Sequence, residues 1–203
     1  MYKRQGYYRI GEKATFTLGT KIPLSNSDRS LDGVPLPMDY QSSLGTFDLI
    51  IGLGYDINKL RLVAALQQPI TQNNNQFLSS LYPDTSPLSN FQSTNQFIRK
   101  GDFIFRASYP VSLGKNLRLT PSLLPIVHLG KDKFTDEFGV EQEIEGSQGL
   151  TLNANIYLDY EINSKNILQL STGFPFIVRE SRPDGLTRSF VLALEYNLSL
   201  IHI

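Results

Sequence analysis

The chain has 203 residues, no cysteine and a formal net charge of zero at pH 7. This length suits one barrel or sandwich domain, and zero net charge gives no electrostatic basis for binding nucleic acid. Without cysteine, neither a disulfide framework nor a thiolate metal site is possible. No run of about 18 apolar residues occurs, which excludes a transmembrane helix.

Both ends of the sequence resemble translations of one short DNA, the transposase end sequence used in library preparation. Its two strands translate as Val-Tyr-Lys-Arg-Gln, with Met replacing Val at a GTG start codon, and as Leu-Ser-Leu-Ile-His-Ile. We therefore treat residues 1–5 and 198–203 as adapter-derived and expect one domain over residues 6–197, truncated at both ends. His202 then carries no argument, which leaves His128 as the only histidine to consider.

Strict alternation of apolar and polar residues dominates the rest of the chain. A strand turns successive side chains to opposite faces, so this pattern predicts strands with one apolar and one polar face. Segment 150–162 is the clearest example, and residues 7–10 are expected to be the stub of a further strand. The eight predicted strands cover residues 14–24, 46–58, 60–70, 102–113, 117–129, 150–162, 167–178 and 187–197.

The connections between these strands alternate in length. Short ones rich in Gly, Asn and Lys suit tight hairpin turns, whereas long ones rich in Ser, Asn, Asp, Pro and Gly suit solvated loops. Short turns at one end and long loops at the other are typical of an up-and-down antiparallel barrel. The short connections fall at residues 11–13, 58–59, 114–116 and 163–166, and the long ones near 25–44, 71–100, 130–148 and 179–186.

Three features favour lipid as the surroundings of the apolar face. The predicted strands of about 11–13 residues are long enough to cross a bilayer when tilted. Charges fall on the polar face and are almost absent from the apolar face between strand ends. The apolar face also carries tyrosines near the short-turn end, as an aromatic girdle at the membrane interface requires. These girdle candidates are Tyr55, Tyr109, Tyr160 and Tyr196.

We therefore expect an all-β fold, an antiparallel up-and-down transmembrane β-barrel in the outer membrane of a Gram-negative cell. At least eight strands are present here, and the full protein is expected to have about ten to twelve. The polar face would line the lumen, and acids and bases on nearby strands could pair inside it. The lumen-lining candidates are Asp48, Arg61, Arg106, Arg118, His128, Asp159 and Glu195.

No catalytic motif emerges, so we expect neither an enzyme nor a bound cofactor or metal. His128 is the one candidate base, and Ser122 on the same strand face lies roughly 20 Å away along the strand. The acidic loop 130–148 has oxygen ligands of the kind that Ca²⁺ prefers. Its spacing lacks the regular order of an EF-hand, which favours a solvated acidic loop.

Several short motifs occur between about residues 44 and 197. They are Leu44-Gly-Thr-Phe-Asp48, Gly52-Leu-Gly-Tyr55, Gly101-Asp102 at a strand start, Gly173-Phe-Pro175 and the closing Leu186-Thr-Arg-Ser-Phe-Val-Leu-Ala-Leu-Glu-Tyr196. With these motifs the chain resembles transporter-like outer-membrane barrels of bacteria, including the group named for the meta-pathway of phenol degradation. The resemblance implies passive passage of small, often hydrophobic molecules, and it brings no established catalytic residues.

The expected function is passive passage of small-molecule solutes through a barrel whose partner is the lipid bilayer. Two other functions fit the same pattern. One is a small structural or adhesive outer-membrane barrel with a packed lumen, in which the long loops act. The other is a soluble lipocalin-like barrel that binds a ligand, in which the apolar side chains would point inward.

Overall fold

The computed structural model describes residues 2–184 and 189–198, and the protein in this part of the chain is all-β. One large antiparallel sheet is accompanied by two small hairpins and three short 3-10 turns. The strands are β1 (Tyr2–Ile10), β2 (Ala14–Ile22), β3 (Ser30–Leu31), β4 (Val34–Pro35), β5 (Asp48–Ile57), β6 (Leu60–Pro69), β7 (Asp102–Ser108), β8 (Val111–Ser112), β9 (Leu117–His128), β10 (Lys133–Thr135), β11 (Glu141–Glu143), β12 (Gly149–Asn163), β13 (Asn166–Ile177) and β14 (Val191–Leu198).

The large sheet is a meander: each strand on its main path pairs with the strand that follows it on that path in chain order. Its order is β1-β2-β5-β6-β7-β9-β12-β13-β14, with β8 pairing β9 beside the path. Every pairing is antiparallel, which confirms the prediction of an antiparallel all-β fold. β1 and β14 are the two edges and do not pair with each other, so the described residues form an open sheet.

The observed strands follow the predicted ones closely, with two differences. The segment predicted as one strand over 102–113 is divided into β7 and β8. Pro110 lies at the break, and proline has no N–H to donate to the ladder. The second difference is at the start of the chain. β1 begins well before the predicted stub over residues 7–10, and residues 2–5 pair with residues 19–22 of β2. Of the predicted strand 187–197, residues 187 and 188 lie outside the described residues, and residues 189 and 190 precede β14 rather than belonging to it.

The short turns and long connections lie at opposite ends of the sheet, as the sequence predicts. Gly11, with φ of 64°, and Asn58, with φ of 55°, lie in two of the short turns. This left-handed conformation is the one that tight hairpins require, and glycine and asparagine adopt it at low cost. The long connections therefore all extend from the same end.

The apolar face of the sheet is exposed, and its polar face is buried at the long-loop end and more exposed toward the short turns. We call this polar face the enclosed face. Leu53 is 57% exposed and Leu194 is 67% exposed, whereas Asp48 is fully buried. Among the described residues, the large apolar side chains that are buried all lie outside the large sheet: Met38, Phe77, Leu78, Phe97 and Ile144. The distribution is thus the reverse of that in a water-soluble barrel with an apolar interior.

Those buried apolar residues belong to a folded cap built from the long connections, residues 23–47, 70–101, 129–148 and 178–184. Asn75 ties two of these connections together. Its Nδ2 donates to the carbonyl oxygens of Ser27 at 3.0 Å and Leu36 at 2.9 Å. Its Oδ1 accepts from the amide of Phe77 at 3.0 Å and the hydroxyl of Thr94 at 2.7 Å. One buried amide thereby satisfies four partners.

A tight approach at the start of β7 generates the first prediction. A Cβ added to Gly101 would overlap Oε1 of Gln68 and lie 3.0 Å from the carbonyl oxygen of Gln67. The Gln68 side chain can rotate away, but the Gln67 carbonyl is held because Gln67 pairs with Asp102. We expect Gly101→Ala to lower the free energy of unfolding by about 1–3 kcal/mol, measured by urea unfolding in detergent micelles.

Gly114→Ala is the matched control. Nothing lies within 4 Å of a Cβ at Gly114, and its backbone is outside the left-handed region. This substitution should leave the urea midpoint unchanged or raise it slightly, because alanine restricts the unfolded chain. Equal midpoints for the two variants would show that the approach at Gly101 is not tight.

Candidate functional site

The enclosed polar face carries its densest group of charges at the long-loop end of the sheet. Asp102 opens β7 and His128 ends β9, and the two residues are partners in the strand register. Nδ1 of His128 lies 2.7 Å from Oδ1 of Asp102, and Nε2 lies 2.8 Å from Oδ1 of Asp132. A neutral imidazole has only one N–H, so both contacts are hydrogen bonds only when the ring is doubly protonated.

Two arginines from the cap extend this group. Nη2 of Arg99 lies 2.5 Å from Oδ2 of Asp102, and Nε of Arg99 lies 3.0 Å from Oδ2 of Asp184. Arg179 completes the set, with Nη2 at 3.1 Å from Oδ1 of Asp184 and Nη1 donating to the carbonyl oxygen of Ser147 at 2.5 Å. We call the six charged residues the ionic cluster: Arg99, Asp102, His128, Asp132, Arg179 and Asp184.

The ionic cluster is balanced in charge and almost completely buried. With His128 protonated it holds three cations and three anions, and each side chain is at most 12% exposed where it forms an ion pair. Removing one partner from such a group leaves an uncompensated buried charge, which is strongly destabilising. The cluster therefore holds cap segments onto the ends of β7 and β9.

Electrostatics keep the cap members of the cluster ionised. Burial raises the pKa of Asp184, but the guanidinium groups of Arg99 and Arg179 outweigh burial and hold that pKa below its ordinary value of 3.8. Burial lowers the pKa of Arg99, but Asp184 and Asp102 outweigh it and raise the pKa further above its usual range. Both groups stay charged at any physiological pH.

A second buried group lies at the same end, between β2, β5 and β6. Lys21 forms an ion pair with Asp48, and both side chains are almost fully buried. The hydroxyl of Thr46 donates to Oδ1 of Asp48 at 2.7 Å, and Nε2 of Gln67 donates to Oδ2 at 2.5 Å. Asp48 is thus satisfied by three side chains, as a buried carboxylate requires.

Toward the short-turn end the enclosed face becomes more open. Nε of Arg106 donates to Oγ of Ser122 at 3.0 Å, and its guanidinium carbon lies 5.0 Å from the ring centroid of Tyr157. This is a cation–π contact that fixes the arginine against the wall. Near the turn, Arg61 lies 3.9 Å from Asp56, and its side chain is 49% exposed. Charged side chains on the polar face are therefore less closely paired toward the short-turn end than at the long-loop end.

A cavity of about 830 Å³ lies between the cap and the enclosed face. It has both polar and apolar walls, which suits small molecules of mixed character. Its lining comes from the cap, β9, β12, β13 and β14, and includes Met38, Asp39, Leu124, Asn153, Asn155, Tyr157, Ser171, Arg182, Asp184, Val191 and Glu195.

The seven predicted lumen-lining residues fall on the enclosed polar face but do not form one site. Asp48 and His128 are buried at the long-loop end, Arg106 is half-buried on β7, and Asp159 is half-buried on β12 as the register partner of Arg118. Nε2 of Gln169 donates to Oδ1 of Asp159 at 2.6 Å. The remaining three, Arg61, Arg118 and Glu195, are exposed toward the short-turn end.

The four predicted girdle tyrosines are all exposed, between 46% and 61%, on the outer side of the sheet. Tyr160 and Tyr196 both pair with Leu168 in the strand register, so they lie at one level of the sheet. The other two girdle tyrosines are Tyr55 and Tyr109. The role of all four at a membrane interface stays a prediction.

Of the six residues of the ionic cluster, only His128 is among the predicted lumen-lining residues, and Asp102 opens β7. Arg99, Asp132, Arg179 and Asp184 lie in long connections that have no alternating pattern. The usable signal was proximity to strand ends, because Arg99 lies three residues before Asp102 and Asp132 four residues after His128. Nothing comparable marks Asp184, which is 85 residues from Arg99.

The side chains considered for catalysis or metal binding contact other polar or charged side chains. Both ring nitrogens of His128 contact carboxylates, and Ser122 contacts Arg106. In the acidic loop, Lys131 pairs with Glu143 and Glu145. Among the described residues, no group of three or more histidine, aspartate or glutamate side chains is placed to hold a metal ion.

No family model matches the chain, and no curated protein matches it. The resemblance to transporter-like outer-membrane barrels therefore stays a prediction. Within the described ranges, no helix has the length and apolar character needed to cross a membrane.

The ionic cluster generates a prediction about the cap. Asp184→Asn removes the carboxylate shared by Arg99 and Arg179 and leaves the buried cluster with one positive charge in excess. We expect the free energy of opening of the segment 178–184 to fall by about 3 kcal/mol, measured as faster amide hydrogen exchange there. Glu145→Gln is the control, because the Glu145 side chain is 79% exposed in its pair with Lys131. Surface pairs contribute little, so equal effects of the two variants would contradict the role of the cluster.

The lowered pKa of Asp184 also predicts a pH dependence. A carboxyl group whose pKa is lower in the folded protein stabilises it above the ordinary pKa of 3.8, and this contribution is lost as pH falls through the folded value. We expect proteolysis of residues 178–184 to be constant between about pH 7 and pH 5 and to accelerate below about pH 4. The Asp184→Asn variant should show a smaller acceleration. Identical pH profiles for the two proteins would rule out Asp184 as a source of this dependence.

Proposed function

We propose that the chain forms most of an outer-membrane β-barrel that passes small solutes passively through a polar lumen. The observation that carries this proposal is the reversed distribution of side chains. Leu53, Leu123 and Leu194 are about half or more exposed on the outside of the sheet, whereas Asp48 and His128 are buried inside. In water, this large apolar face would be exposed to solvent, whereas in a bilayer it would contact lipid.

Strand length and aromatic placement support the same proposal. β9 and β13 have 12 residues each and β12 has 15, which is enough to cross the hydrocarbon core at a tilt. Exposed tyrosines lie near the short-turn end, where a phenol can keep its ring in hydrocarbon and its hydroxyl in water. A soluble lipocalin-like barrel would instead need an apolar interior, which conflicts with the buried Lys21–Asp48 pair.

Strand direction constrains how such a barrel would close. The edges of an open sheet cannot remain unpaired in lipid, because each unsatisfied backbone group costs several kcal/mol. Eight consecutive antiparallel pairings separate β1 from β14, so these two strands run in the same direction. Direct closure would make one parallel pair. We propose that an odd number of further strands, one or three, completes an antiparallel barrel with an even strand number.

The strand count of the complete protein tests this mode of closure. Ten or twelve strands, about the usual range for a small barrel, would support it. A nine-stranded barrel closed by a parallel β1–β14 pair would contradict it.

The cap also favours a second candidate, a structural or adhesive barrel whose long loops act outside the cell. The ionic cluster and the buried cap residues Phe77 and Phe97 fill the long-loop end. Solute flux separates the two candidates. The complete protein, reconstituted in phospholipid vesicles, should admit small neutral solutes and exclude large polymers. Vesicles that stay impermeable would favour the structural barrel.

A charge placed on the exposed face tests whether that face contacts lipid. Leu53→Arg should lower the free energy of unfolding in phospholipid vesicles by about 2–4 kcal/mol, because an arginine near the bilayer centre is costly. Phe138→Arg is the control, since Phe138 is 82% exposed at the tip of the β10–β11 hairpin in the cap. If water covers both positions, both substitutions should be nearly neutral, and the membrane proposal fails.

A further inference from the structure

A row of amide side chains lines one groove of the cap. Burial alternates residue by residue over 72–77: Gln72, Asn74 and Gln76 are exposed, whereas Asn73 and Asn75 are buried. This alternation indicates an extended segment, in which every second side chain lies on the same side at a spacing of about 7 Å. The three exposed amides form a ladder facing the groove.

The backbone beneath this ladder is held in place. The amide of Asn75 donates to Oδ1 of Asn73 at 2.9 Å, and the amide of Asn74 donates to Oγ of Ser27 at 3.3 Å. The amide of Gln96 donates to the carbonyl oxygen of Asn75 at 2.7 Å. These contacts fix the positions of the exposed side chains before any ligand arrives, which lowers the entropy lost on binding.

The segment beside this ladder is also polar and ordered. Nδ2 of Asn95 donates to the carbonyl oxygen of Thr135 at 2.8 Å, and the Thr135 hydroxyl donates to Oε1 of Gln96 at 3.3 Å. Gln96 has a φ of 50°, which is uncommon for a residue other than glycine and occurs more often at functional sites. The groove has a volume of about 850 Å³.

This lining selects a chemical class of ligand. An amide both donates and accepts hydrogen bonds, so it matches a hydroxyl group in either role. The side chains of Gln72, Asn74 and Gln76 form no hydrogen bond to another described residue. The lining holds two carboxylates, Asp28 and Glu141, and no lysine or arginine, although Nζ of Lys133 pairs with Oε2 of Glu141 at 3.1 Å. A phosphate, sulfate or uronate group therefore finds no cation in the lining itself, whereas neutral hydroxyl groups can donate to the carboxylates.

We propose that this amide groove binds a neutral carbohydrate at the long-loop face of the protein. The groove belongs to the cap alone, so the proposal holds whether or not the barrel conducts solutes. Spacing of the ladder favours an extended oligosaccharide over a single sugar, because three amides about 7 Å apart reach across more than one ring.

The test titrates the complete protein in detergent with linear neutral gluco-oligosaccharides of about six units, followed by calorimetry. Replacing Gln72, Asn74 and Gln76 together by alanine should weaken binding at least about tenfold, because several hydrogen bonds are lost. Gln148→Ala is the matched control, since Gln148 is an exposed amide of the cap outside the groove. The control should bind as the parent protein does.

Three results would overturn the proposal. They are the absence of neutral oligosaccharide binding at millimolar concentration, tighter binding of dextran sulfate than of dextran, and equal binding by the triple variant. Because the replaced side chains have no internal partners, the triple variant should fold, and circular dichroism checks this. If it does not fold, Asn74→Ala alone replaces it. Solute flux into vesicles is measured separately, so failure of the groove and failure of the channel are distinguishable.

Discussion

The enclosed face of this sheet is polar, and the structure depends on pairing the charges that are buried at its long-loop end. Asp48 is satisfied by Lys21, Thr46 and Gln67, and His128 lies between two carboxylates. An unpaired charge in such surroundings would cost several kcal/mol. A slip of one residue in register would also turn the apolar face inward. The buried ion pairs therefore specify the strand register, and with it which face of the sheet is polar and which is apolar.

The same constraint explains why the cap is ordered although it has little regular structure. The ionic cluster joins Asp102 and His128 at the strand ends to Arg99, Asp132 and Asp184 in three different cap segments. The large apolar side chains buried in the described part of the chain lie in these same connections. The molecule thus has an apolar core in its cap and a polar core in its sheet. A boundary between water and lipid at the strand ends would produce this division.

Sequence reasoning predicted the sheet well because its period of two is repeated over nine strands. It also predicted which face is polar, since the charges of Asp48, Arg106 and Asp159 follow that period. It failed where periodicity ends. Asp102 and His128 are 26 residues apart and Arg99 and Asp184 are 85 apart, and only the strand register and the cap fold bring them together. Pro110 was visible in the sequence, and it should have outweighed the alternation around it as a signal that the strand is interrupted.

The gradient of pairing along the enclosed face bears on how a channel of this kind would discriminate between solutes. At the long-loop end the ionic cluster carries no net charge when His128 is protonated, and its members are saturated by one another. In a channel, such a cluster would obstruct passage but attract neither cations nor anions over a distance. Toward the short-turn end, Arg61 and Asp56 are 3.9 Å apart and about half-exposed, so they remain available to a solute. Obstruction and charge selectivity would then reside at opposite ends of the proposed lumen, and a change at one end could alter either property without the other.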